Sequence, residues 1–154
     1  GILYTHIDKC SETVANVNAA FSNLKCEKIG SYGLSVSIQQ PAYFTINLKG
    51  PLGEVSSEFE KISGELPIET GPAIEWQLIN GEPRYMIYRV SWGSENAPFM
   101  MNERLILNYV SKNRICALAT VDTKKNTQAN VTVRELIKGE FSSVSQCPGS
   151  VKAY

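Results

Sequence analysis

Residues 74–92 read Ile-Glu-Trp-Gln-Leu-Ile-Asn-Gly-Glu-Pro-Arg-Tyr-Met-Ile-Tyr-Arg-Val-Ser-Trp, and this stretch decides the fold class. Ile74, Trp76 and Leu78 alternate with Glu75 and Gln77, the period-two pattern of a strand with one buried face. Asn80-Gly81 supplies a turn that tolerates positive φ, and the chain resumes from Arg84 to Trp92, which predicts a β-hairpin. Met86, Tyr88, Val90 and Trp92 fall on one face of the second strand, with Tyr85, Ile87 and Arg89 on the other. Both faces are largely apolar, so this strand is expected to lie inside a sheet rather than at its edge.

The same alternation extends outward in both directions. Leu34, Val36 and Ile38 alternate with Ser35, Ser37 and Gln39; beyond Pro41, Phe44, Ile46 and Leu48 alternate with Thr45 and Asn47 until Gly50-Pro51. Past the Pro98 loop, Leu105, Leu107 and Tyr109 form one face, Ser111 to Asn113 turn the chain, and Ile115 to Val121 return as an almost unbroken apolar run. Residues 53–72 are irregular. Val55, Phe59 and Ile62 match one face of a short helix, but Gly64, Pro67, Gly71 and Pro72 mark the stretch as mainly a surface loop. After the polar turn Asp122-Thr123-Lys124-Lys125-Asn126, a helix is expected from about Gln128 to Lys138, with Ala129, Val133, Leu136 and Ile137 buried and Gly139 ending it. The expected fold is α+β: one domain, residues 1–154, with an antiparallel sheet of about six strands, one C-terminal helix packed on it, and disulfide reinforcement.

At 154 residues the chain is long enough for one self-sufficient core. Fifteen basic residues balance fifteen acidic ones, and the longest run of like charge is Lys124-Lys125. Nucleic-acid binding is therefore not expected, since it needs clustered cations to displace phosphate counterions. No apolar run approaches the ~20 residues of a transmembrane helix.

Cys10, Cys26, Cys116 and Cys147 lie 16, 90 and 31 residues apart. Zinc sites and thioredoxin-like redox motifs use close pairs, and this chain has none. Structural disulfides, with three possible connectivities, fit better. A continuous helix over residues 11–24, suggested by Val14, Val17, Phe21 and Leu24, would hold Cys10 roughly 24 Å from Cys26, whereas a disulfide needs Cα atoms under about 7 Å apart. Asn16, Asn18 and two valines weaken that helix. We therefore favour Cys10–Cys26 and Cys116–Cys147, with the segment between the first pair bent or only partly helical. Four free buried thiols in a cytosolic structural subunit are the alternative. Disulfides imply an oxidising compartment, periplasmic or extracellular, and a leader removed ahead of Gly1.

Candidate chemistry is sparse. His6 is the only histidine, lies near the N-terminus, and no G-x-S-x-G elbow accompanies any serine, so a nucleophilic triad is not expected. Glu75, Glu82 and Glu103 read as solvated surface charge. Asp122, Asn126 and Asn130 do not match a calcium loop, and no phosphate-cradling glycine loop occurs. Neither a metal nor a cofactor is expected. Asn130-Val131-Thr132 matches the glycosylation sequon inside the predicted helix and reads as chance. The best binding candidates are Trp76, Tyr85, Tyr88, Arg89 and Trp92, residue types that dominate interface hot spots; the competing reading puts the aromatics in the core.

Tyr4-Thr5 before Cys10, Cys26 followed by Gly33, Trp76 and Arg89 in a hairpin, Cys116, Val121-Asp122, and Asn126 with Ala129-Asn130 leading into Arg134-Glu135 form an ordered set. In this order of features the chain resembles a group of exported bacterial proteins of unknown function. It departs from them after Cys26, where their Pro-Gly is replaced by Glu27-Lys28. The resemblance implies export and a helical Ala-Asn…Arg-Glu segment, and it carries no activity. The expectation is a non-enzymatic exported domain that binds another protein or an envelope component. A cell-envelope hydrolase using a carboxylate pair is the alternative.

Overall fold

A computed structural model describes residues 1–15, 21–39, 43–51, 53–57, 68–94 and 97–154. The chain runs β1 (Ile2–His6), a 3-10 turn (Ile7–Lys9), β2 (Ser11–Ala15), β3 (Phe21–Ile29), β4 (Tyr32–Gln39), β5 (Tyr43–Gly50) and β6 (Gly53–Ser56). It continues through β7 (Ile68–Ile79), β8 (Glu82–Ser94), β9 (Ala97–Val110), β10 (Ile115–Asp122), the helix α1 (Ala129–Lys138) and β11 (Lys152–Ala153).

These strands form two sheets where the sequence suggested one. The larger has the order β1-β7-β8-β9-β10-β11; the smaller is a five-stranded antiparallel meander, β2-β3-β4-β5-β6. The larger is antiparallel except at its margin, where the tail returns after α1 and β11 lies parallel to β10. Segment 11–15 and 21–24, read as bent or part-helical, is strand; its residues 16–20 lie outside the described set. Likewise Gly53–Ser56 and Ile68–Thr70, assigned to a surface loop, are strand, and 58–67 fall outside it. Period two tells which side chains share a face but not which sheet a strand joins, and this is why one sheet was expected.

The layers follow from how each strand is buried. One face of the larger sheet, with Ile74, Trp76, Met86, Tyr88, Val90 and Ile106, packs against Ile29, Leu34, Val36, Ile46 and Leu48 of the smaller sheet. Its other face, with Tyr85, Ile87, Leu105, Leu107, Leu118 and Val121, packs against Ala129, Val133 and Ile137 of α1 and Phe141 beyond it. Hence β8 and β10 are apolar on both sides: they lie in the middle layer. The order is small sheet, large sheet, helix.

Local chemistry fixes the register. Asn80 and Gly81 both have positive φ, +54° and +78°, the two-residue turn whose twist matches its strands. The tip of the β3–β4 hairpin meets this turn, where the Ser31 hydroxyl donates to Glu82 Oε2 at 2.9 Å. In β7 the pairing shifts between Thr70 and Ile74, so Gly71 and Pro72 sit in a bulge, where a missing N–H costs no ladder bond. A Cβ on Gly71 would lie 3.1 Å from Arg89 Cβ, closer than side chains normally approach.

Both disulfides have the favoured connectivity. Ser11 pairs with Lys25 and Glu12 with Leu24, so Cys10 and Cys26 continue the ladder by one step. Their Cα separation of 4.5 Å is that of a non-hydrogen-bonded antiparallel pair. Cys116–Cys147 fastens the tail to β10. The tail is further held by the Tyr85 hydroxyl donating to the Phe141 carbonyl at 2.7 Å and by Tyr154 N–H donating to Thr120 O at 2.8 Å.

Candidate functional site

Trp76, Tyr85 and Tyr88 do not form a surface. Trp76 and Tyr88 are 0% and 1% exposed between the two sheets, and Trp76 Nε1–H donates to Thr5 Oγ1 at 2.9 Å. Tyr85 is buried on the helix side. Burial raises the pKa of both tyrosine hydroxyls, Tyr88 most strongly. The Trp92 side chain lies outside the described residues; its backbone pairs with Ile68 and Asn102. Of the four described side chains Arg89 alone reaches solvent, where it pairs with Glu103 across the β8–β9 ladder.

Arg89 opens onto a cleft of about 170 Å³ between the large sheet and the start of α1. Ile87 and Leu105 form its apolar wall, the β7 bulge at Gly71, Pro72 and Ala73 borders it, and Tyr4, Glu75 and Asn130 provide polar groups. Cross-strand register explains the convergence: Tyr4 faces Glu75 on β1–β7, and Glu75 faces Ile87 on β7–β8. Asn130 and Arg134 are four residues apart on α1, hence on the same helical face.

Glu75 is the centre of this cluster. It was read as solvated charge, but it is only 9% exposed. Arg134 grips it with two nitrogens, Nη2 at 2.6 Å from Oε1 and Nε at 3.5 Å from Oε2. The Tyr4 hydroxyl donates to Oε1 at 3.0 Å, and Gln77 Nε2 donates to Oε2 at 3.4 Å. Arg134 Nη2 also donates to the Tyr4 oxygen at 3.2 Å, closing a triangle across β1, β7 and α1. Burial by itself pushes the carboxyl pKa up, but the hydrogen bonds from Arg134, Tyr4 and Gln77 outweigh it, and the group titrates below the ordinary carboxylate range. The same hydrogen bond from Tyr4 to Glu75 raises the phenol.

Glu103 is equally engaged. It accepts from Arg89, and the Thr123 hydroxyl donates to its Oε1 at 3.0 Å. Thr123 is the second residue of the predicted polar turn, whose Asp122 Oδ1 accepts from the Lys124 N–H at 2.8 Å. His6 is exposed on β1. Among the described residues no three His, Cys, Asp or Glu side chains converge as a metal site would require, and no helix is long and apolar enough to cross a membrane.

Sequence reasoning had singled out Arg89 but missed Tyr4, Glu75 and Arg134. The usable signal was Glu75 itself, a charge flanked by Ile74 and Trp76 in a strand with a buried partner. Its cation lies 59 residues away.

No family model matches this chain, and neither a curated protein nor a solved structure matches it.

Proposed function

We propose that this chain is a non-enzymatic binding domain of an oxidising compartment, periplasmic or secreted. Its helix-side cleft seats a small group presented by a partner, another protein or an envelope component. The observation that carries the reading is that Glu75, the carboxylate lining the cleft, is paired with Arg134, while the cleft's own Arg89 is paired with Glu103. A glycosidase of the carboxylate-pair type needs one carboxyl held protonated by a raised pKa. Glu75 is shifted the other way, and its oxygens already accept from three side chains.

Size supports the same reading. Substrate pockets usually enclose about 300 to 1,000 Å³. The cleft, at about 170 Å³, suits one side chain or a fragment of similar bulk, the kind of pocket that receives an interface anchor. Export is supported by two disulfides, which persist in oxidising compartments.

The experiment places a photo-crosslinking phenylalanine derivative at Asn130, exposed at the cleft mouth, and irradiates native host cells. A discrete adduct at Asn130, absent with the same probe at exposed Lys112 on the β9–β10 turn, is the expected outcome. Glycan cleavage by the purified protein that disappears in Glu75→Gln would replace this reading with the hydrolase.

A further inference from the structure

The outward face of the small sheet carries a second cleft, of about 260 Å³, on the side of the molecule away from α1. Lys25, Lys28 and Lys49 line it. Lys25 and Lys28 share β3 and Lys49 lies on β5, and the β3-β4-β5 meander brings them together around Gly33 and Ser35. All three are exposed, and among the described residues none lies within ion-pair distance of a carboxylate. Glu54, opposite Lys49, also lines the cleft, which leaves a cationic excess.

The floor is polar and ordered in advance. Asn47, 8% exposed, donates through Nδ2 to Ser37 Oγ at 3.0 Å and accepts at Oδ1 from Ser56 Oγ at 2.6 Å. Ser37 in turn donates to Asn23 Oδ1 at 3.5 Å. A hydrogen-bonded chain thus crosses four strands on the face that carries Lys25 and Lys49, while Gly33 leaves a gap in the side-chain layer above the ladder. Among the described residues no aromatic side chain lines the cleft, so none of them offers a stacking platform for bases or for the apolar faces of neutral sugars.

The geometry points to a site for an anionic saccharide, one bearing sulfate or phosphate esters. Lysine ammonium groups meet the oxyanions as point charges, and Ser35 and Asn23 present hydroxyl and amide groups to a polyhydroxyl scaffold, with Asn47 holding the floor beneath. This site is separate from the helix-side cleft and does not depend on the function proposed for it.

The test is an amide NMR titration of the intact, oxidised protein with a heparin tetrasaccharide, using uncharged maltotetraose for comparison. Shifts confined to β3, β4 and β5 around Lys25, Ser35 and Lys49, weakening as salt rises, are expected. The double variant Lys25→Gln/Lys49→Gln should bind about tenfold more weakly, the loss of one charge-assisted contact at least. Lys112→Gln/Lys138→Gln should bind as the unmodified protein does. Thermal melts of both variants establish that each is folded. Equal binding of maltotetraose, or equal weakening by the two double variants, overturns the proposal. So does binding to phosphatidylglycerol vesicles without binding to the tetrasaccharide, which would assign the face to a membrane.

Discussion

Arg134 Nη2 lies 2.6 Å from Glu75 Oε1, and this contact joins α1 to the β1–β7 edge of the large sheet, where no other charged pair between them is seen among the described residues. The carboxylate side is 10% exposed and the guanidinium side 39%, so solvent screens the pair only from the arginine's end. Arg134→Ala leaves Glu75 charged and buried without its main partner. A destabilisation of about 2 kcal/mol is expected in urea unfolding, less than for a fully buried pair because Arg134 is partly solvated. Combined with Glu75→Gln in a double-mutant cycle, the two losses should be clearly non-additive.

The same carboxyl sets an acid limit. Its folded pKa lies below the ordinary value, so the stability it contributes is fully present above the unfolded carboxylate range and is lost as pH falls through the folded pKa. Urea midpoints should therefore drop between about pH 5 and about pH 3. Asp122 and Glu140 shift in the same direction, so the informative quantity is the difference from Glu75→Gln, which should lose less stability over that window. Identical profiles for the two proteins would show that Glu75 contributes nothing to the acid limit.

At the alkaline end the sign reverses. Tyr88 is driven up by burial, so its contribution is complete below the unfolded phenol value and declines as pH rises above about 10. Tyr88→Phe should flatten the loss measured by thermal melts above that pH.

The second disulfide closes 31 residues of chain, worth about 4 kcal/mol in the loop-entropy view. Cys116→Ser/Cys147→Ser should lower global stability by up to that amount. Its local mark is more telling: hydrogen exchange should accelerate across residues 140–154, where Arg84 holds the Val144 carbonyl at 3.4 Å and Tyr85 holds Phe141. Amides of the small sheet, on the far side of the middle layer, should keep their protection.

Trp76 separates packing from recognition. Trp76→Phe removes the bond to Thr5 and part of a fully buried ring, and should cost about 2 to 3 kcal/mol. Crosslinking from Asn130 should persist at temperatures where the variant remains folded.

Legibility from sequence tracked the range of the interaction. The hairpin 74–92, its positive-φ turn and the opposed faces of β8 were readable because alternation and Asn80-Gly81 act locally. The helix was readable to within a residue from its apolar spacing and Gly139. Hidden were features that depend on distant partners: the division of the strands between two sheets, the parallel return of β11, and the convergence of Tyr4, Glu75 and Arg134. The burial of Trp76 and Tyr88 shows the same limit. Composition marks an aromatic cluster equally well whether it faces water or a second sheet.

The chain leaves the large sheet at the Ile7–Lys9 turn, builds the small sheet, and returns as β7 to pair with β1. Both meanders, β2 to β6 and β7 to β10, are made of sequence neighbours, whereas the β1–β7 ladder links residues 67 to 75 positions apart. Folding rate is governed by such distant closures, because their entropy must be spent before any contact rewards it. β1 is thus the suture of the molecule: its long-range ladder with β7 is expected to close later than the two local meanders.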